Sequence, residues 1–171
     1  MMGSGKSIVA KCIQEQLRDY KVVDMDTTIE HERNQKISDI FKDYGEVTFR
    51  NLEAELCRKI SVNTKQIVST GGGVVLNPEN VNRLKASGVV FWLYADNETL
   101  YNRIKDEKHR PLINTSKDGE EVLATITSIM EKRFDLYRDM ADVVINTSAL
   151  SIEESCNEIR SEYKRLLECL K

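Results

Sequence analysis

The stretch Met1-Met2-Gly3-Ser4-Gly5-Lys6-Ser7, running on into Ile8-Val9-Ala10-Lys11-Cys12-Ile13, decides how this chain is read. Its Gly-Lys-Ser end closes the pattern GxxxxGK[ST], whose first glycine would stand just ahead of Met1. Glycines in such a turn let successive backbone N–H groups face inward around a phosphate. Val9, Cys12, Ile13, Leu17 and Tyr20 then fall near one face, which predicts a helix over residues 7–20. The positive end of that helix would point at the same anion. A bare Gly-Ser-Gly-Lys-Ser string reads equally well as a flexible loop. The amphipathic helix that follows at once turns the reading toward phosphate binding.

Outward from the loop, strand-like and helix-like patterns alternate to the end of the chain. Residues 21–24, 66–69, 89–93 and 143–145 read as short apolar strands. Helices are expected after Thr27, which forms a capping-box pattern with Glu30, and over residues 38–61. Asn77 followed by Pro78 marks another helix start, Gly88 its end, and Asp96 a further cap. Residues 107–119 are polar and read as a mobile loop; helices follow over 120–139 and 151–171. This alternation predicts an α/β fold, three layers in the order α/β/α around a parallel sheet. With no repeat and no linker, residues 1–171 read as a single domain.

Composition narrows the function classes. Apolar residues make up 40% and charged residues 31%, with 8 Gly and 2 Pro, which excludes collagen-like, disordered and disulfide-stapled classes. The net charge of −3, with signs interspersed, argues against a nucleic-acid partner. No apolar run is long enough to span a membrane and no signal segment is visible, so a soluble, cytoplasmic protein is expected. Cys12, Cys57, Cys156 and Cys169 form no CxxC pair, and His31 and His109 lack metal-ligand spacing. Reduced thiols and no zinc site are expected.

Four further features carry chemistry. Asp24-Met25-Asp26 follows a Val-Val pair; side chains two apart on a strand point the same way, so both carboxylates are expected to face the open carboxyl edge, where α/β proteins bind ligands. The bland alternative is helix capping. Gly71-Gly72-Gly73 follows a strand and permits a close ligand approach. Arg110, in the polar loop, could bring a mobile cation to developing phosphoryl charge. Arg133 falls beside an apolar helical stripe, whereas Arg50 has Glu46 and Glu53 within helical pairing distance. Snorkelling and surface pairing are the ordinary readings of these two arginines.

Taken in order, GSGKS, Asp-x-Asp, Phe-Arg-x-x-Glu, Gly-Gly-Gly, Arg-Pro-Leu and Lys-Arg-x-x-Leu-Tyr resemble the shikimate kinases. The resemblance spans essentially the whole chain. It implies a P-loop kinase fold with a lid near residues 105–120, ATP as co-substrate, Mg²⁺ as cofactor and shikimate as acceptor. ATP would be held by Gly3, Ser4, Gly5, Lys6, Ser7 and Ile8, with Arg110 closing over it. Ser7 and, through water, Asp24 would hold the metal, and Asp26 would act as base toward the 3-hydroxyl. Arg50, Arg133, Gly71, Gly72 and Gly73 would hold shikimate. A monomer without nucleic-acid or membrane partners is expected. The family's strand ahead of the phosphate loop lies mid-sheet; without it, four of the usual five strands and an exposed seam are expected. Two other readings stand beside this one: a kinase for another small hydroxy acid such as gluconate, and a non-catalytic nucleotide-binding remnant.

Overall fold

Two short parallel pairs of strands organise the molecule, a computed structural model that describes residues 1–105 and 118–169. Strand β1 (Lys21–Asp24) pairs with β2 (Gln66–Ser69), setting Val22 against Ile67 and Asp24 against Ser69. Strand β3 (Phe91–Tyr94) pairs with β4 (Val143–Asn146), setting Trp92 against Val144. Among the described residues no pairing joins β2 to β3. The expected four strands are therefore present, as two ribbons with facing edges.

Seven helices connect and cover these ribbons among the described residues: α1 (Lys6–Gln16), α2 (Met25–Arg33), α3 (Ile37–Ile60), α4 (Pro78–Ser87), α5 (Asn97–Ile104), α6 (Gly119–Met140) and α7 (Ile152–Cys169). A single 3₁₀ turn, Val74–Leu76, follows the glycine run. Helix α1 stops at Gln16, short of the expected residue 20, and Tyr20 closes a turn on the Leu17 carbonyl at 2.9 Å. The cap of α2 is Asp24 rather than Thr27: its carboxylate accepts from the Thr27 N–H at 3.1 Å. Glu30 instead accepts from the Ile37 N–H and from Lys36, joining α2 to the start of α3. Helix α3 is broken at Gly45, whose φ of 80° lies where only glycine sits without strain. The caps expected at Asn77 and Asp96 are formed, at 2.9 Å to the Glu79 N–H and 2.7 Å to the Thr99 N–H.

Met25, Ile29 and Ile40 on one side and Leu100, Ile104 and Ile126 on the other are fully enclosed, so one large core underlies the carboxyl ends of the strands. Val9 and Ile13 of α1 share a second cluster with Leu93, Ile145, Cys156 and Ile159. No helix among the described residues is long and apolar enough to cross a membrane. Between the two ribbons lies a cavity of about 380 Å³ lined by Val9 and Ile13, by Ile67 and Val68, and by Phe91 and Leu93. Its walls are the unpaired sides of β2 and β3. Met1 sits at one end, and burial there, helped by the Lys6 and Arg133 charges, pushes its amino group well below the usual value.

Unpaired strand edges around an apolar slot leave backbone groups without partners and side chains without contacts. An extended apolar segment joined ahead of Met1 would pair with both edges and replace the buried amino group by a neutral peptide N–H. Such an extension is expected to raise Tm by about 5 °C or more, given that ~1 kcal/mol moves Tm by roughly 2–4 °C at this chain length. A calorimetric comparison with the 171-residue chain checks it, and equal melting would show that the slot is closed in some other way.

Candidate active site

The phosphate-loop segment bends through two left-handed glycines, Gly3 at φ 71° and Gly5 at φ 86°. A side chain on Gly3 would also meet Ile104 at 2.8 Å, so the turn is seated directly against α5. Gly5 caps α1 through its backbone alone, leaving the first N–H groups of the helix facing the loop. Ser4 is buried and donates to the Met1 carbonyl at 2.9 Å; Lys6 Nζ donates to the same carbonyl at 2.5 Å. Lys6 thus lies folded across the mouth of the turn. Ile8, on the first turn of α1, is exposed beside it.

Ser7 faces the other way. Its hydroxyl donates to Asp24 Oδ2 at 2.5 Å and lies 3.3 Å from the Ser69 hydroxyl. Burial pushes the Asp24 carboxyl up, but hydrogen bonds from Ser7, Thr27 and Ser69 outweigh it and hold the group below its ordinary value. The result is a cluster of hard oxygen donors at the start of α1. Among the described residues no group of three or more His, Cys, Asp or Glu side chains could hold a metal. The Ser7–Asp24 pair nevertheless fits a small hard cation of the Mg²⁺ kind, which takes one or two protein oxygens and completes its shell with water and phosphate.

Asp26 does not share this cluster. The strand ends at Asp24, so Asp26 lies in the first turn of α2 and, contrary to the expectation, the two carboxylates do not share a strand face. The helical turn sends Asp26 into a separate cavity of about 100 Å³, shared with Lys6, Arg50, Glu53, Arg133 and the three glycines Gly71, Gly72 and Gly73. Gly71 and Gly73 lie tight against charged side chains of the cavity. A Cβ on Gly71 would lie 2.5 Å from Glu53 Oε1 and 3.0 Å from Asp26 Oδ1, and one on Gly73 would run into the Arg50 guanidinium.

Both ordinary pairings of Arg50 are made: Nη1 donates to Glu53 at 2.6 Å and Nη2 to Glu46 at 2.8 Å, with the guanidinium 5.2 Å from the Phe49 ring. These pairings hold the guanidinium at the cavity wall and do not withdraw it from the site. Arg133 is only 9% exposed and donates to the Gly72 carbonyl at 3.2 Å, so it is not a snorkelling surface cation. Arg110, in the expected lid, lies outside the described residues.

Ser69 and Arg103 escape sequence reasoning, and Glu53 is foreseen only as a pairing partner of Arg50. Glu53 is 1% exposed and its Oε1 has no hydrogen-bond partner, an orphan acceptor in the cavity. Burial foremost, with Asp26 adding, raises its carboxyl above the ordinary value against the pull of Arg50 and Arg133. Ser69 gave no signal beyond ending a strand. Arg103 ties the phosphate loop to the end of β4, donating to the Gly3 carbonyl at 3.4 Å and the Thr147 carbonyl at 2.6 Å. Only i+3 spacing from Arg50 hinted at Glu53; the other two become visible only in three dimensions.

Glu53→Ala would strip the half-buried Arg50 guanidinium of its closest partner while leaving Glu46 on it, so a loss of about 1.5–3 kcal/mol is expected, the worth of a hydrogen bond to a charged group. Urea unfolding is expected to show that loss. A change below about 1 kcal/mol, the usual worth of an exposed pair, would place the Arg50–Glu53 bridge effectively in solvent.

The chain is similar to known proteins. The family model described as shikimate kinase matches residues 2–164. A shikimate kinase of Thermodesulfovibrio yellowstonii is 39% identical over 165 residues, covering 96% of this chain and 92% of the relative. One of Caldicellulosiruptor bescii is 39% identical over 160 residues, covering 94% and 90%. Among solved structures, shikimate kinase from Acinetobacter baumannii in complex with shikimate superposes with a TM-score of 0.88 at 29% identity, covering 99% of this chain and 91% of that one.

Proposed function

We propose, from the premise that the chain belongs to the shikimate kinase family, how its own residues carry ATP-dependent phosphorylation to the 3-hydroxyl of shikimate. The observation that carries the reading is the cavity that gathers Asp26, Arg50 and Arg133 next to Lys6 and the glycine turn. A hydroxy acid needs cations for its carboxylate and a carboxylate for its reacting hydroxyl, and this cavity supplies both.

Gly3, Ser4 and Gly5 would cradle the ATP phosphates with backbone N–H groups, while Lys6 swings from the Met1 carbonyl to the β/γ-phosphates. Ile8, exposed on the first turn of α1, and Arg103, which donates to the Gly3 carbonyl, would flank the bound nucleotide. Ser7 and, through water, Asp24 would hold Mg²⁺, which supplies charge neutralisation for the phosphates when bound. Arg50 and Arg133 would clamp the shikimate carboxylate, for which a planar guanidinium fork is better suited than an ammonium. Gly71, Gly72 and Gly73 let the ring approach the backbone.

Asp26 would accept the proton of the 3-hydroxyl as its oxygen bonds to the γ-phosphorus and the bond to the β-phosphate oxygen breaks, releasing ADP. Arg110 would close over the nucleotide from the lid near 105–120 and help exclude water, which would otherwise compete for the phosphoryl group. We read residues 1–171 as one domain, working as a monomer in the cytoplasm on small-molecule substrates rather than on nucleic acids or membranes.

ADP release with ATP and Mg²⁺ tests the reading directly: shikimate is expected to drive it and gluconate to leave it at background. Equal response to gluconate would move the acceptor to hydroxy acids in general. Asp26→Asn should lower kcat about 10²- to 10⁴-fold with ATP binding intact, and near-normal turnover would remove it as the base. Arg133→Ala should weaken shikimate by about 10- to 150-fold, the worth of one charge-assisted contact, and ATP hardly at all. Parallel loss of both ligands would count against the clamp.

A further inference from the structure

We infer that Tyr137 is a positioning residue of the acceptor pocket, fixing the Gly72 carbonyl and the Arg133 guanidinium through one buried hydroxyl; this rests on reading that pocket as the shikimate site. Tyr137 stands one helical turn beyond Arg133 on α6 and is itself 6% exposed. It does not line the acceptor cavity. It reaches the cavity through two neighbours.

The Tyr137 hydroxyl donates to the Gly72 carbonyl at 2.5 Å, and Arg133 Nη1 donates to the same oxygen at 3.2 Å. A carbonyl oxygen has two lone pairs, so these donors together saturate it. Because the peptide unit is planar and trans, fixing this carbonyl also fixes the N–H of Gly73, which points the opposite way. Gly73 is in turn packed against the Arg50 guanidinium, where no side chain fits. One peptide plane is therefore held from α6 on one side and α3 on the other, and it separates the two arginines.

The ring that carries the hydroxyl cannot drift. It stacks on Trp92 at 5.6 Å and 27°, and Phe134 and Tyr94 meet Trp92 edge-on at 5.2 and 5.4 Å. Burial pushes the phenol above its ordinary value, with Arg133 opposing, so the group stays a protonated donor at neutral pH. Removing the hydroxyl alone would leave Arg133 as the sole donor to Gly72 and free the peptide plane to rotate. Arg133 would then be drawn to the carbonyl and away from a substrate carboxylate.

Tyr137→Phe keeps the aromatic stack and tests the hydroxyl. We expect Tm within about 3 °C of the parent, since at most one hydrogen bond is lost. Shikimate KM should rise about 2- to 12-fold, the worth of that bond, with ATP KM unchanged and kcat nearly so. In an Arg133→Ala background the same substitution should have a clearly smaller effect on shikimate KM, because the hydroxyl acts through that arginine. An unchanged shikimate KM, a full additive penalty beside Arg133→Ala, or both KM values rising with a falling Tm would each overturn the inference while leaving the acceptor assignment standing. A parent chain that fails to turn over shikimate would instead bring down the acceptor assignment and the inference with it.

Discussion

The hydrogen bond from Ser7 to Asp24 Oδ2, at 2.5 Å, is the contact on which the rest of the site depends. Ser7 belongs to the first turn of α1, so its position fixes the phosphate loop ahead of it. Asp24 ends β1 and caps α2 through its second oxygen, so its position fixes where α2 starts. Asp26 sits on that first helical turn. A single side-chain contact thereby sets the distance between the loop that would hold the donor phosphate and the carboxylate that would face the acceptor. Phosphoryl transfer asks little covalent help from a protein and much positioning, so a rigid joint here matters more than any single charge.

The acceptor cavity follows a second rule, that buried charge must be answered. Arg50 is answered by Glu46 and Glu53, and Arg133 by the Gly72 carbonyl. Those contacts leave each guanidinium with further N–H groups, since five donors are available on each. Glu53 keeps an unpartnered oxygen against Gly71. A hydroxyl-bearing acid offers the two complements this cavity lacks, a carboxylate for the arginines and donor hydroxyls for the acidic side chains. An apolar ligand would answer neither the remaining guanidinium N–H groups nor the Glu53 oxygen.

Much of this was legible in the sequence because it is local. Short apolar runs marked all four strands, and the caps at Asn77 and Asp96 were readable from residue type alone. The glycine run was readable as a close approach, though not which side chains approach it. The same-side argument for Asp24 and Asp26 failed because α2 begins one residue after Asp24, changing the period from strand to helix. Thr27 lost the capping role to Asp24 for the same reason. The break at Gly45 was invisible because apolar spacing runs through it undisturbed. Ser69, Arg103 and Tyr137 acquire their roles across long sequence separations, which no window along the chain can contain.

The central claim is that this geometry directs the γ-phosphoryl group to a hydroxyl of shikimate and away from water. Phosphorus NMR of the chain mixed with ATP, Mg²⁺ and shikimate measures that partition directly. The account predicts a phosphomonoester resonance coupled to the proton on shikimate C3, growing in step with ADP, with inorganic phosphate staying at its no-enzyme level. ADP accompanied by inorganic phosphate and no phosphorylated shikimate would contradict it.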